Sequence, residues 1–317
     1  SIVDRTLELI GNENLDIDNL KLDDEKTFEL FAEGKMTGVF QLESRVAQST
    51  SRSLKPKRFE DIVALVALIR PGPLGAGMHN EFADRANNRK EIEYLHNDLE
   101  SILNETYGVI LYQEQVMQIA EKIAGFNLQE ADNLRVAMGK KIPKVMEEQR
   151  KKFTDGSVSN NYSEQFAIEL FDQIAYFAGY GFNKSHSVPY ALLAYQTAYL
   201  KANYPAEYIA ACLTAVKRDK DRTAIFLSEA RDLGVKVSTP DINLSSSDFT
   251  VNDNEILFGL SAVRNVGDIT AEKIVSEREN NGDFESIEDF LSRIDARSLN
   301  KRGVEALIQG GGLDKFG

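Results

Sequence analysis

Asn183-Lys184-Ser185-His186-Ser187 stands directly before Val188-Pro189-Tyr190 and a long apolar run. Ser is a good helix cap, and Pro is favoured in a first turn because its missing N–H would be unbonded there. The spacing therefore predicts a helix from about Val188 to Asn203, with Ser187 as its cap. Lys184 and His186 then lie at the helix N-terminus, where free amides and the positive end of the macrodipole point into one space. That is anion-binding chemistry, with phosphate the usual occupant. A second cationic unit is NLRVAMGKK, which holds Arg135, Lys140 and Lys141. It reads as a helix end with Gly139 as the C′ residue, which leaves the backbone beside the lysines approachable. Two readings of this unit stand: cations that merely complement a helix C-terminus, or half of a phosphate cradle. If both units face each other, their positive groups converge as a nucleoside triphosphate requires.

Other chemistry is sparse. Asp16-Ile17-Asp18 would put two carboxylates on one side of an extended strand, but it lies in a turn-rich connector, and no metal ligands are expected there. The single cysteine, Cys212, excludes an internal disulfide framework and a cysteine-based zinc site. Its setting, EYIAACLTAV, is that of a core thiol.

These residues must be positioned by the rest of the chain. A length of 317 residues implies two or three domains. Hydrophobic content of 42% and charged content of 27% are ordinary for a globular protein. No run of eighteen apolar residues exists, so no membrane span is expected. SIVDRTLELIG lacks the order of a secretion signal, starts inside an amphipathic helix and has no initiator Met, so a cytoplasmic fragment of a longer protein is expected. The net charge of −13 argues against general polyanion binding. Between Arg135 and Lys152, however, seven basic residues face two acidic ones, Glu147 and Glu148. Local potential decides where a polyanion docks.

The periodicity is mostly helical. Asp23 or Asp24 caps a helix that ends at Gly34. Arg45–Ser53 is polar and weakly patterned. FEDIVALVALI is apolar nearly all round and predicts a buried helix, followed by an extended turn at Arg70-Pro71-Gly72-Pro73. Further helices follow in YGVILYQEQVMQIAEKIAGF, NLQEADNLRVAMG, IPKVMEEQRKKF, EQFAIELFDQIAYFAGYG and DRTAIFLSEARDLG. Beyond Gly234, VKVSTPDIN, SDFTV and ILFGL suggest a small sheet with a turn at Asn252-Asp253-Asn254. Two helical hairpins close the chain. The first turns at Asn265–Asp268, before a helix from about Thr270. The second has Ser298 as a cap and Gly310–Gly312 as a glycine turn. The expected fold is mainly α with one small β element.

The chain resembles the catalytic alpha subunit family of bacterial DNA polymerase III, the C-family replicative polymerases of DnaE type. The motifs are GVFQLES (Gly38–Ser44), FEDIVALVALIRPGPL (Phe59–Leu74), YGVILYQEQVMQIA (Tyr107–Ala120), LRVAMGKK (Leu134–Lys141), FAGYGFNKSHSVPYALLAYQTAYLKANYPAEY (Phe177–Tyr208) and LNKRGVEALI (Leu299–Ile308). The likeness covers nearly the whole chain in the family's order. It implies a connector and first finger at 1–58, a helical fingers core at 59–234, and a β element with a tandem helix-hairpin-helix module at 235–317. It implies triphosphate contacts at Arg135 and His186, with Lys140, Lys141, Asn183 and Lys184 beside them. Arg70 lies in a matching motif, but a structural bond to nearby carbonyls is the expectation for it. The resemblance also implies duplex DNA contacts through the hairpins, at Asn265, Gly267, Thr270, Lys273, Lys301 and Arg302.

Implied partners are deoxynucleoside triphosphates, template-primer DNA, the rest of the alpha chain and, through it, the sliding clamp and other holoenzyme subunits. The family's Mg2+ is held by palm aspartates outside this chain, so the chain alone should bind without polymerising and contains no catalytic residue. Two departures stand out. RVAQSTSRS replaces an amphipathic leucine-bearing helix, and Val136 replaces a common second arginine. The alternative reading is a non-catalytic DNA-binding module acting through its hairpins.

Overall fold

The computed structural model describes residues 1–140, 142–178, 181–295 and 297–317. Lys141, one of the expected nucleotide contacts, lies outside the described residues. The fold is mainly α, with seventeen α-helices and one two-stranded sheet among the described residues. Two compact units are present, residues 21–198 and residues 1–20 with 199–317. This division by compactness groups the N-terminal helix with the C-terminal part of the chain, which a division by motif does not.

The first helix, α1 (Ile2–Ile10), is capped by Ser1 and packs on a later helix of its own unit. Residues 21–198 begin with α2 (Glu25–Glu33), capped by Asp24 and ended by Gly34, as the sequence predicts. Then comes α3 (Arg45–Leu54), where no helix is expected from the pattern. Ser44 caps it, and its buried face is made of Ala47, Thr50, Ser51 and Leu54. Small residues let α3 approach its neighbours closely, and Ser51 Oγ donates to the Phe31 carbonyl at 2.7 Å. A satisfied hydroxyl can take a core position that hydrophobic periodicity would not assign to it.

Helix α4 (Phe59–Leu68) is buried at every position from Asp61 to Leu68. The expected extended turn after it is instead a short helix, α5 (Pro71–Gly75). Pro71 stands at its first position and Pro73 still within the first turn, where no N–H is needed. There follow α6 (Met78–Ala86), α7 (Glu100–Leu103), α8 (Gln113–Ala124), α9 (Leu128–Lys140), α10 (Pro143–Ser159), α11 (Glu164–Ala178) and α12 (Lys184–Asn203). Helix α12 runs past the unit boundary, and its last turn, from Tyr199, is counted with the other unit. Ile119, Ile123, Leu134, Phe153, Leu170 and Ile174 form a core among α8 to α11. Burial of each such side chain stabilises by about 1.5–3 kcal/mol.

The other unit adds α13 (Pro205–Val216), which packs on α1, and α14 (Lys220–Asp232). Cys212 is fully buried in its core, as expected. Strands β1 (Thr250–Asn252) and β2 (Glu255–Leu257) pair antiparallel, with Val251 opposite Ile256. Asp253 and Asn254 both have positive φ, the conformation of a two-residue hairpin turn. The segment from Val235 contributes a single bridge, Val237 to Ile256, rather than a third strand. Last come α15 (Asp268–Asn281), α16 (Ile287–Arg293) and α17 (Lys301–Gln309), with Ala271, Ile274, Phe284, Phe290 and Leu307 in their shared core. No helix among the described residues is long and apolar enough to cross a membrane.

Candidate nucleotide site and hairpin module

Helix α12 begins one turn earlier than the sequence suggests. Its cap is Asn183, whose Oδ1 accepts from His186 N at 2.9 Å. Pro189 is therefore inside the helix, and Ser187 Oγ, expected to cap, is buried without a hydrogen-bond partner. Lys184 and His186 sit in the first turn rather than in front of it.

The anion-binding space at this helix end is already filled. The Glu114 carboxylate accepts from Lys184 N at 2.9 and 3.0 Å and reaches Ser185 N at 3.4 Å. Asn183 takes the next two amides, those of His186 and Ser187. Backbone amides are thus spent within the protein, and any phosphate site here is made of side chains. Lys184 Nζ is also engaged, 2.6 Å from Glu105 and over the Tyr112 ring.

The two cationic units meet at one residue. Gln113, the first residue of α8, donates from its carboxamide to the Gly181 carbonyl at 3.1 Å, and its N–H donates to the Phe182 carbonyl at 3.0 Å. Its Oε1 accepts from Arg135 Nη1 at 3.5 Å. Phe182 N returns a bond to the Leu111 carbonyl, completing a parallel bridge between Tyr112 and Phe182. Arg135 is a half-buried residue of α9, held by Asp132 at 2.8 Å. Gly139 is not a C′ residue, because α9 continues through Lys140. Lys140 is exposed and makes no ion pair among the described residues. His186 is exposed too, its ring 4.5 Å from Tyr190 and 5.6 Å from Phe182, and its ring nitrogens bond nothing among the described residues.

Arg70, expected to bond nearby carbonyls, instead stacks over Phe182 at 4.7 Å. That puts a guanidinium beside the residue preceding Asn183. Of the other basic residues near Arg135, Lys152 pairs with Glu130 and Arg150 with Asp172. The 1220 Å³ cleft in the same unit is lined by five acidic residues, Glu81, Asp84, Glu93, Glu169 and Asp172, against one basic residue, Arg85, the wrong balance for a phosphate.

A buried polar frame supports the site. Gln115 Oε1 accepts from Leu111 N and Tyr112 N, both at 2.9 Å, while its Nε2 donates to Thr106 Oγ1 and the Ile102 carbonyl. Asp61 accepts from the Tyr107 hydroxyl at 2.8 Å and from Arg58. Burial, reinforced by Asp61, pushes the Tyr107 hydroxyl up to about 12. Arg58 in turn donates to the Glu105 carbonyl. Sequence reasoning missed Glu105, Gln113 and Glu114. An acidic residue in a first helical turn reads as a macrodipole complement, which hides a partner 70 residues away.

Asp16 caps the turn Ile17–Asn19, with its carboxylate lowered first by the Asn19 side chain and then by Asp18 N. No group of three or more His, Cys, Asp or Glu side chains that could hold a metal occurs among the described residues.

In the other unit the two hairpin turns meet. Asn265 has a positive φ of 63°, and its carbonyl lies against Gly303 of α17. Thr270 donates to the Ser298 carbonyl at 2.6 Å, and Lys273 Nζ lies 2.6 Å from Ser298 Oγ. Helix α15 starts at Asp268, two residues before the expected Thr270, and its Gly267 cap supplies no side chain. The cap of α17 is Asn300, not Ser298. Lys301 and Arg302 are exposed. Asp268 is held by Lys217 and Arg218, and these two cations, Lys217 first, hold its carboxyl below the usual range.

Residues 1–161 match the family described as the bacterial DNA polymerase III alpha subunit finger domain, and residues 234–317 match the helix-hairpin-helix motif. The DNA polymerase III subunit alpha of Thermus aquaticus is 49% identical over 96% of this chain and 25% of its own length. Those of Pseudomonas aeruginosa and Escherichia coli K12 are 45% and 44% identical over the whole chain and 28% of theirs. The chain belongs to the bacterial DNA polymerase III alpha subunit finger-domain family. It spans about a quarter of the length of these relatives.

Proposed function

We propose that this chain is the nucleotide-selecting fingers region and hairpin module of a DNA polymerase III alpha subunit. Arg135, Lys140, Lys141 and His186, with Asn183 and Lys184 beside them, contact the triphosphate of an incoming deoxynucleotide. Cations there neutralise the charge that develops as pyrophosphate leaves. The observation that carries the reading is Gln113, which bonds both Arg135 and the segment entering Asn183. Mg2+ would be held by carboxylates outside this chain, where it would neutralise charge and activate the primer 3′-hydroxyl. This chain's part is to bind and orient the nucleotide.

Asn265, Gly267, Thr270, Lys273, Lys301 and Arg302 contact template-primer DNA from the paired hairpin turns. The amides opening α15 face a phosphate without a competing side-chain cap. The whole protein works in the cytoplasm with the sliding clamp and other holoenzyme subunits, and this chain alone is inactive.

The test is Arg135→Ala in the full-length subunit, with deoxynucleotide affinity measured by single-turnover titration. Affinity should fall while primer-template affinity stays. If nucleotide affinity is unchanged and substitutions at Lys301 and Arg302 alone weaken binding, the chain is a DNA-binding module and the proposal is wrong.

A further inference from the structure

We infer that Glu114 is a positioning residue, which holds the Asn183–His186 segment in register with Arg135; the inference rests on the nucleotide reading above. The chemistry follows from three contacts. Glu114 sits in the first turn of α8 and accepts from the first two amides of α12. Gln113, one residue earlier, bonds Gly181, Phe182 and Arg135. Glu105, on the turn before α8, takes the Lys184 ammonium.

One short stretch of chain therefore grips the α12 N-terminus at its backbone and at its lysine, and grips Arg135 as well. A carboxylate accepting two amides at a helix N-terminus is also favoured by the macrodipole. Glu114 does not touch the candidate ligand groups of Arg135 or His186 in this arrangement. It fixes where the His186 turn stands relative to them, and small displacements of such groups are costly to binding geometry. The same contacts make the amides unavailable to a phosphate, so the nucleotide is read by side chains.

Removing Glu114 should loosen the turn without unfolding the chain, because Ser185 is exposed and Lys184 part-exposed, so water can replace the carboxylate. The experiment uses the full-length alpha subunit with primer-template and one deoxynucleotide. Glu114→Ala, Glu114→Gln and Arg135→Ala are compared by single-turnover titration, with primer-template affinity measured in parallel. For Glu114→Ala the nucleotide dissociation constant should rise about tenfold, while maximal rate and primer-template affinity move less than about twofold. Glu114→Gln keeps an oxygen that accepts from Lys184 N and should recover most of the loss.

A Glu114→Ala enzyme with unchanged nucleotide affinity, beside an Arg135→Ala enzyme that has lost it, overturns the inference and leaves the site reading intact. Tighter nucleotide binding in Glu114→Ala also overturns it, since Glu114 would then be a competitor for phosphate. Parallel loss of nucleotide and primer-template affinity would assign Glu114 a general structural role and overturn it as well. An Arg135→Ala enzyme with normal nucleotide affinity refutes the site reading itself.

Discussion

Gln115 carries the most informative perturbation. Its side chain is almost wholly buried and uses both ends, accepting from Leu111 N and Tyr112 N and donating to Thr106 and Ile102. Leu111 and Tyr112 are themselves buried. Gln115→Met nearly conserves volume, so the cavity contribution is small and the hydrogen bonds are isolated. The substitution leaves two buried amides without an acceptor, at about 1–3 kcal/mol each. With partial rehydration the local cost should be about 2–4 kcal/mol, or on the order of a hundredfold in the opening equilibrium. Hydrogen exchange resolved to single amides is the assay, because it reads local opening. Leu111 and Tyr112 should exchange on the order of a hundredfold faster, and Phe182 N, which bonds the Leu111 carbonyl, should follow. Unchanged exchange at all three amides would refute the reasoning that Gln115 frames the Tyr112–Phe182 bridge.

Gly156 of α10 is the closest helix contact that a methyl group would break. A Cβ there would stand 2.2 Å from the Ala124 carbonyl oxygen, so Gly156→Ala should cost about 1–3 kcal/mol in chemical denaturation, despite its better helix propensity. The Asp268 carboxyl is lowered, so its contribution is present above the ordinary aspartate range and is lost as pH falls through its depressed value, below about pH 4. Lys217 is pushed down by burial but raised on balance by its bonds to Asp248 and Asp268, so its contribution is lost only above the ordinary lysine range. Exchange protection at the start of α15 should therefore be flat near neutrality and fall in acid, and Lys217→Met should shrink the acid-dependent part. Lys301→Ala with Arg302→Ala should weaken duplex binding by the full-length subunit and lower its salt dependence, at unchanged nucleotide affinity, in filter binding across a salt series.

Local signals were legible in the sequence. The caps at Asp24 and Gly34, the buried run of α4 and the turn at Asp253-Asn254 follow from a few neighbouring residues. Other elements depend on distant partners. α3 shows no continuous apolar stripe because its buried face sets Thr50 and Ser51 between Ala47 and Leu54, with the Ser51 hydroxyl bonded to the Phe31 carbonyl. The first-turn preference of proline starts α12 near Val188 with Ser187 as cap, yet Asn183 and Glu114 together extend the helix a turn ahead of it. The cationic residues of the candidate site could be read from type and spacing. The acidic partners of Lys184, Glu105 and Glu114, could not, since contacts across 70 residues or more leave no local pattern, whereas Asp132 pairs with Arg135 only three residues away in the same helix.

A double-mutant cycle of Arg135→Ala and His186→Ala, read as deoxynucleotide affinity in the full-length subunit, addresses the shared site most directly. Two side chains on one triphosphate should each weaken binding when removed, with a coupling of about 0.5 kcal/mol or more between them. Independent, additive losses, or losses that fall on primer-template affinity instead, would mean that α9 and α12 do not serve one ligand.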